Sequence, residues 1–76
     1  MPAGNAKDLK NNVQSFRNEL RLTQEELAKS VNLTRQSIIA IEKGKFTPSI
    51  YTALRLARAL NTDVENLFYI DERINS

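Results

Sequence analysis

The chain has 76 residues, a formal net charge of +2, and neither cysteine nor histidine. This length allows one small domain, and the two missing residue types remove disulfide bonds, the usual metal ligands and imidazole catalysis. An enzyme, a cofactor and a bound metal are therefore not expected.

Charge is distributed unevenly along the chain. Residues 1–62 carry ten Lys or Arg against five Asp or Glu, which gives +5, whereas residues 63–76 carry one Arg against four acids, which gives −3. A basic body favours a polyanionic partner, with the acidic end lying away from it. No apolar run approaches the roughly 20 residues of a membrane span, so we expect a cytoplasmic protein without membrane contact.

The first helical pattern follows an N-terminal stretch, residues 1–7, that lacks apolar periodicity and is expected to be a flexible arm. Apolar side chains then recur at steps of four, three and four residues, which predicts a helix with one buried face. These side chains are Leu9, Val13, Phe16 and Leu20.

A second helix is predicted to begin at Thr23, because Thr23-x-x-Glu26 has the form of a capping box. Leu27 and Val31 are its expected inward residues. Asn32 follows, and asparagine is one of the few residues other than glycine that tolerate a left-handed backbone.

Three more helices are predicted after this turn. Thr34 is the expected N-cap of the third, in which Ile38 and Ile41 face inward, and Gly44 ends it. Thr47-Pro48 predicts the start of the fourth, because proline suits the first helical position. The expected apolar stripe of the fourth is Ile50, Ala53, Leu54, Ala57 and Leu60, with Asn61 at its end. Thr62-x-x-Glu65 predicts a second capping box, which starts a short fifth helix.

Residues 24–43 fit two short helices joined by a tight turn. Ala28 is small where the helices would cross, Asn32 supplies the left-handed turn, and Leu33 is an apolar plug after it. Five short helices with short connections predict an all-α domain, a compact five-helix bundle over residues 8–70, followed by a polar, acidic tail at residues 71–76.

This pattern resembles the small stand-alone Cro/cI-type (Xre-like) helix-turn-helix transcriptional regulators. The resemblance is carried by residues 22–31 (LTQEELAKSV), 34–38 (TRQSI) and 41–45 (IEKGK), and it extends over about residues 9–69. It implies a λ-repressor-like fold that binds double-stranded DNA. Family members often have glycine where this chain has Arg21 and Asn32, and a left-handed Arg21 would carry about 1 kcal/mol of strain.

The resemblance also implies which residues contact DNA. The third helix would lie in the major groove, with three residues farthest from its buried face at the base edges: Arg35, Gln36 and Ala40. An arginine can donate two hydrogen bonds to guanine and a glutamine can pair with adenine, while an alanine methyl suits a thymine methyl. Phosphate contacts are expected from helix ends and from the turn at Gly44, namely from Gln24, Thr34, Ser37, Lys43 and Lys45.

Two further sets of residues are expected to be structural. In the family a basic residue at the position of Arg17 often pairs with an acid at the position of Glu42, which implies an ion pair between the first and third helices. The apolar run Leu67, Phe68, Tyr69 and Ile70 predicts a two-fold homodimer interface, because a short fifth helix leaves Tyr69 and Ile70 little core to cover. Alternatively, all four residues complete the core of a monomer.

Two function classes follow from these features. The first is a sequence-specific transcriptional regulator, a repressor, which reads a pseudo-palindromic operator as a homodimer. The alternative is an antitoxin-like or other interaction module, which binds a partner protein and autoregulates its own promoter. The short acidic end leaves room for such a partner.

Overall fold

The computed structural model describes residues 7–72. This range contains five short helices and two three-residue strands. In chain order they are β1 (Leu9–Asn11), α1 (Val13–Glu19), α2 (Gln24–Ser30), α3 (Arg35–Glu42), α4 (Ile50–Ala59), α5 (Val64–Leu67) and β2 (Phe68–Ile70). The predicted five-helix architecture is confirmed, with a small two-stranded sheet added to it. The predicted arm and tail fall largely outside the described residues, so the domain limits stay a prediction.

The start of the first helix was predicted too early, because residues 9–11 form a strand. In β1, Leu9 lies opposite Ile70, Lys10 opposite Tyr69 and Asn11 opposite Phe68, in an antiparallel pair. The backbone N–H of Val13 donates to the Asn11 side chain (3.0 Å), which ends the strand and begins α1. Pairing with a strand at the other end of the chain overrides the local helical spacing. At the far end, α1 stops at Glu19, and Leu20 is 46% exposed rather than inward.

The core lies between α1, the α2–α3 pair, α4 and α5. Its fully buried large side chains are Val13, Leu27, Ile38, Ile41, Leu56, Leu60 and Leu67. Ala28 is only 2% exposed in the same cluster, and the predicted inward residue Val31 is buried beside it. These residues confirm the predicted inward faces of α2 and α3.

Among residues 7–72, four adopt a left-handed backbone at the ends of helices: Arg21 (φ 59°), Asn32 (φ 59°), Gly44 (φ 74°) and Asn61 (φ 58°). Asn32, Gly44 and Asn61 were predicted to end helices. Arg21 differs from the two asparagines and the glycine, because a long side chain with this backbone conformation is strained by about 1 kcal/mol.

The predicted beginnings of α4 and α5 were each displaced. The hydroxyl of Ser49 accepts the N–H of Thr52 (3.1 Å), so α4 begins at Ile50 and not at Thr47-Pro48. The carboxylate of Asp63 accepts the N–H of Asn66 (2.9 Å), so the cap of α5 is Asp63 and not Thr62. Serine and aspartate are better N-caps than threonine.

The predicted stripe of α4 was partly wrong. Ala53, Ala57 and Leu60 are buried as expected, but Ile50 is 82% exposed and Leu54 is 53% exposed. Leu56, which the stripe omitted, is fully buried in their place. The helix carries apolar side chains on two faces, and only the face of Leu56 and Leu60 meets the core. Within residues 7–72 no helix is long and apolar enough to cross a membrane.

Candidate nucleic-acid interface

Helix α3 is fixed with one face in the core and the opposite face in solvent. Its first turn is capped by Thr34, whose hydroxyl accepts the N–H of Ser37 at 3.1 Å. Ile38 and Ile41 are 0% and 1% exposed, which sets the rotation of the helix. Arg35 and Gln36 are consequently exposed at the N-terminal end, and Ala40 is half-buried one turn further on.

The turn between α2 and α3 fixes the angle at which α3 projects. The N–H of Leu33 donates to the carbonyl of Ala28 (2.8 Å), and the left-handed Asn32 donates to Lys29 (3.3 Å). Because Ala28 carries only a methyl group, the two helices can approach closely at this position. The half-buried Leu33 packs against the core and closes the turn.

A nearly buried ion pair joins α1 to the end of α3. The Nε of Arg17 lies 2.7 Å from Oε2 of Glu42, and the side chains are 10% and 5% exposed. A second guanidinium nitrogen donates to Oε1 of Glu42 (3.4 Å), and a third donates to the carbonyl of Leu22 (2.8 Å). The guanidinium therefore ties together α1, α3 and the segment that leads into α2.

Gln24 is part of the same cluster. Its side-chain amide donates to Oε1 of Glu42 at 3.1 Å, which links the first residue of α2 to the last residue of α3. The sequence suggested only a phosphate contact for Gln24 and gave no sign of this bond, because the two residues are 18 positions apart. The bond uses one of the two N–H groups of the side-chain amide.

The remaining phosphate candidates surround the two ends of α3. The hydroxyls of Thr34 and Ser37 lie 3.1 Å apart, so one of their two protons joins them and the other can reach an outside acceptor. Lys43 and Lys45 are exposed on either side of Gly44. The N–H of Lys45 donates to the carbonyl of Ala40 (2.9 Å), which holds this turn against α3.

The C-terminal apolar run divides into a buried and an exposed half. Leu67 is fully buried and Phe68 is half-buried against the core. Tyr69 and Ile70 are 45% and 51% exposed, although their strand pairs with β1 of the same chain.

A second exposed apolar surface lies on α4 and was not predicted. Ile50, Tyr51 and Leu54 are 82%, 70% and 53% exposed, and Phe46 in the preceding loop is 50% exposed. The sequence does not show that Ile50 and Leu54 point outward, because this depends on Leu56 filling the core.

Among residues 7–72 there is no group of acidic side chains arranged to hold a metal ion. The candidate residues around α3 carry cationic, amide and hydroxyl groups, which are hydrogen-bond donors.

The chain is similar to helix-turn-helix proteins in sequence. The helix-turn-helix family model HTH_3 matches residues 13–67. An HTH-type transcriptional regulator of Methanothermobacter thermautotrophicus is 52% identical over 61 residues, which cover 79% of this chain and 88% of the relative. Control protein C.SmaI of Serratia marcescens is 41% identical over 59 residues, which cover 78% of this chain and 70% of that protein.

Solved structures show the same similarity. The restriction-modification controller protein C.AhdI from Aeromonas hydrophila has a TM-score of 0.69 at 29% identity, covering 72% of this chain and 83% of that one. The hypothetical transcription factor NHTF from Neisseria has a TM-score of 0.71 at 28% identity, and the match covers 84% of this chain and 75% of that one.

Proposed function

This chain belongs to the helix-turn-helix family of transcriptional regulators, and on that premise we propose that it reads a specific sequence of double-stranded DNA with α3. The observation that carries the proposal is the orientation of α3. Its buried face is locked by Ile38 and Ile41, and its N-terminal end presents Arg35 and Gln36 to solvent.

In the proposed complex α3 lies in the major groove, where each base pair presents its own pattern of donors and acceptors. Arg35 donates two hydrogen bonds to O6 and N7 of a guanine. Gln36 pairs with N6 and N7 of an adenine, and the methyl group of Ala40 meets a thymine methyl or leaves clearance. The cluster of Arg17, Gln24 and Glu42 holds the C-terminal end of α3, so these side chains are presented from a rigid helix.

Phosphate contacts position this helix without specifying sequence. The second side-chain N–H of Gln24 and the unshared hydroxyl proton of Thr34 and Ser37 are suitable donors. Lys43 and Lys45 act as point charges beside the turn at Gly44, as lysines do in many phosphate sites. Each neutralised phosphate releases counterions, so affinity falls as the salt concentration rises.

We propose that the working unit is a homodimer, because one helix reads too few base pairs to specify a genomic site. A two-fold dimer places its recognition helices about 34–36 Å apart on a pseudo-palindrome. The supporting surface is Tyr69 with Ile70, which are half-exposed on β2. The described sheet has two strands, so β2 has an outer edge to which a second copy can add.

We propose repression as the regulatory outcome. A dimer that covers about one turn of DNA next to or within a promoter competes with the polymerase for the same phosphates and bases. A reporter gene placed behind the selected site should be expressed less when the protein is present, and higher expression would overturn this part of the proposal.

Selection of bound fragments from a pool of random duplex DNA tests the proposed reading of sequence. The expected result is enrichment of one pseudo-palindromic site, whose half-sites are centred about one helical turn apart. If the pool stays random after repeated rounds, while retention on DNA persists, the protein binds without reading sequence and the proposal is wrong.

The proposed dimer surface is tested against the second apolar surface of the molecule. Tyr69→Asp with Ile70→Asp should give a folded monomer in sedimentation and weaken binding to the selected site. Ile50→Asp with Leu54→Asp is the matched control, since it places the same charges on the exposed face of α4. If only the control pair produces a monomer, the dimer forms through α4 instead.

A further inference from the structure

A groove beside the C-terminal end of α3 is lined by three lysines from two distant parts of the chain. Lys7 and Lys10 come from the N-terminal segment and Lys43 follows α3, while Asn11, Gly44 and Tyr69 are among the other residues of the walls. We call this feature the lysine groove, defined by Lys7, Lys10 and Lys43.

The fold holds the groove in place through β1. The side-chain amide of Asn11 donates to the carbonyl of Ile41 (2.9 Å), which attaches the strand to the last turn of α3. Lys10 lies opposite Tyr69 in the sheet, so β2 supports the strand from its other side. Lys10 therefore lies on a strand that is attached to the end of α3.

The lysines outnumber the acids around the groove, where Glu42 lines the wall and Asp8 lies between Lys7 and Lys10 in the sequence. The two carboxylate oxygens of Glu42 already accept hydrogen bonds from Arg17 and Gln24. None of the three lysines forms an ion pair with another described residue. Three ammonium groups around one groove repel one another, and an anion that enters between them relieves this repulsion.

We propose that the lysine groove binds backbone phosphates of the same duplex that α3 reads. The inference rests on the proposed function, and it adds Lys7 and Lys10, which lie outside the helix-turn-helix, to the phosphate contact proposed for Lys43. A helix of eight residues is about 12 Å long, which is close to the width of the major groove, about 12 Å. Cations at the C-terminal end of α3 consequently lie near a phosphate backbone when its N-terminal residues reach the base edges.

If the three lysines only stabilise the fold, a different result is expected. Lysines near a helix C-terminus also interact favourably with the helix dipole. In that case replacing them would lower the melting temperature slightly, and the salt dependence of DNA binding would not change. The phosphate proposal instead predicts an unchanged fold and a changed salt dependence.

The test is the variant Lys7→Gln with Lys10→Gln, measured on a short random-sequence duplex and on the selected site. For each phosphate that the variant no longer neutralises, the slope of log affinity against log salt should become shallower by about 0.9 per subunit. Affinity at about 0.15 M salt should fall roughly fivefold per phosphate. Both duplexes should be affected equally, because phosphate contacts carry no sequence information.

The matched control is Arg55→Gln with Arg58→Gln, which removes two positive charges from a separate groove lined by Leu22, Ser30 and Ala59. This pair should leave the slope unchanged. Equal slopes for the lysine variant and the wild type, or equal changes in the lysine and arginine variants, would overturn the proposal. If the wild type does not prefer the selected site, the proposed sequence reading fails, while the slope on random duplex still tests the groove.

Discussion

Removal of Arg17 should destabilise the protein strongly, although Arg17 lies on the first helix and contacts no base in the proposed complex. The guanidinium is the partner of the Glu42 carboxylate, whose side chain is only 5% exposed, and it also donates to the carbonyl of Leu22. In Arg17→Met the carboxylate keeps only the bond from Gln24. A nearly buried charge then lacks its counter-charge, and a backbone acceptor lacks its donor.

The expected cost follows from this burial. Breaking a buried ion pair by removing one partner costs about 3–5 kcal/mol, whereas an exposed pair is worth at most about 1 kcal/mol. A chain of 76 residues has a total stability of roughly 4–11 kcal/mol. A domain of this size loses about 4–8 °C per kcal/mol, so the melting temperature should fall by roughly 12–40 °C.

The assay is thermal and urea unfolding, followed by circular dichroism, of a double-mutant cycle. The variants are Arg17→Met, Glu42→Leu and the two together. The double variant should be more stable than Arg17→Met alone, because apolar replacement of both partners leaves no uncompensated charge. If Arg17→Met costs less than about 1 kcal/mol, or if the two single costs simply add, the cluster does not hold α3 as we argue.

Three smaller changes test other features of the fold by the same unfolding measurements. Arg21→Gly should stabilise the protein by up to about 1 kcal/mol, because glycine adopts the observed φ of 59° without strain; a loss of stability would show that the arginine side chain contributes more than the strain costs. Ala28→Leu should destabilise by about 1–3 kcal/mol, since the alanine is 2% exposed in the core beside α3, and an unchanged melting temperature would mean that the helices have room to spare. Thr23→Ala should cost about 0.5–2 kcal/mol by removing the cap of α2, and an effect near zero would show that Glu26 alone is sufficient.

The features of the fold that could be predicted are those encoded by neighbouring residues. The capping box of Thr23 and Glu26 and the cap of Thr34 depend on bonds to residues three positions away. The inward faces of α2 and α3 follow from spacing alone, and Ile38 and Ile41 were identified by it. The left-handed turns were also predictable, because Asn32 and Gly44 suit that backbone.

The features that could not be predicted depend on contacts between distant parts of the chain. The strand at Leu9–Asn11 exists because β2 pairs with it, and its spacing alone resembles a helix. On α4, the predicted stripe contained Leu54, whereas Leu56 fills the core, and the position of the remaining helices decides which face is buried.

In the candidate site, the exposed side chains were easier to predict than the bonds that support them. Arg35 and Gln36 are exposed at the N-terminal end of α3, as expected. The bond from Gln24 to Glu42 and the attachment of Asn11 to Ile41 join residues 18 and 30 positions apart. Each needs the tertiary structure before it can be inferred.

The measurement that tests the central claim most directly is the ratio of affinities for the selected site and for random duplex DNA. It is compared between the wild type, Arg35→Ala and Arg55→Ala, the last being an exposed arginine on α4 that serves as the control. We expect the wild type to prefer its site by at least about 10³-fold. Arg35→Ala should lower this preference by about 1–3 kcal/mol, roughly 5- to 150-fold, with random DNA bound almost as before and with Arg55→Ala unchanged. Equal losses on both DNAs, or a preference unaffected by Arg35→Ala, would contradict sequence reading by α3.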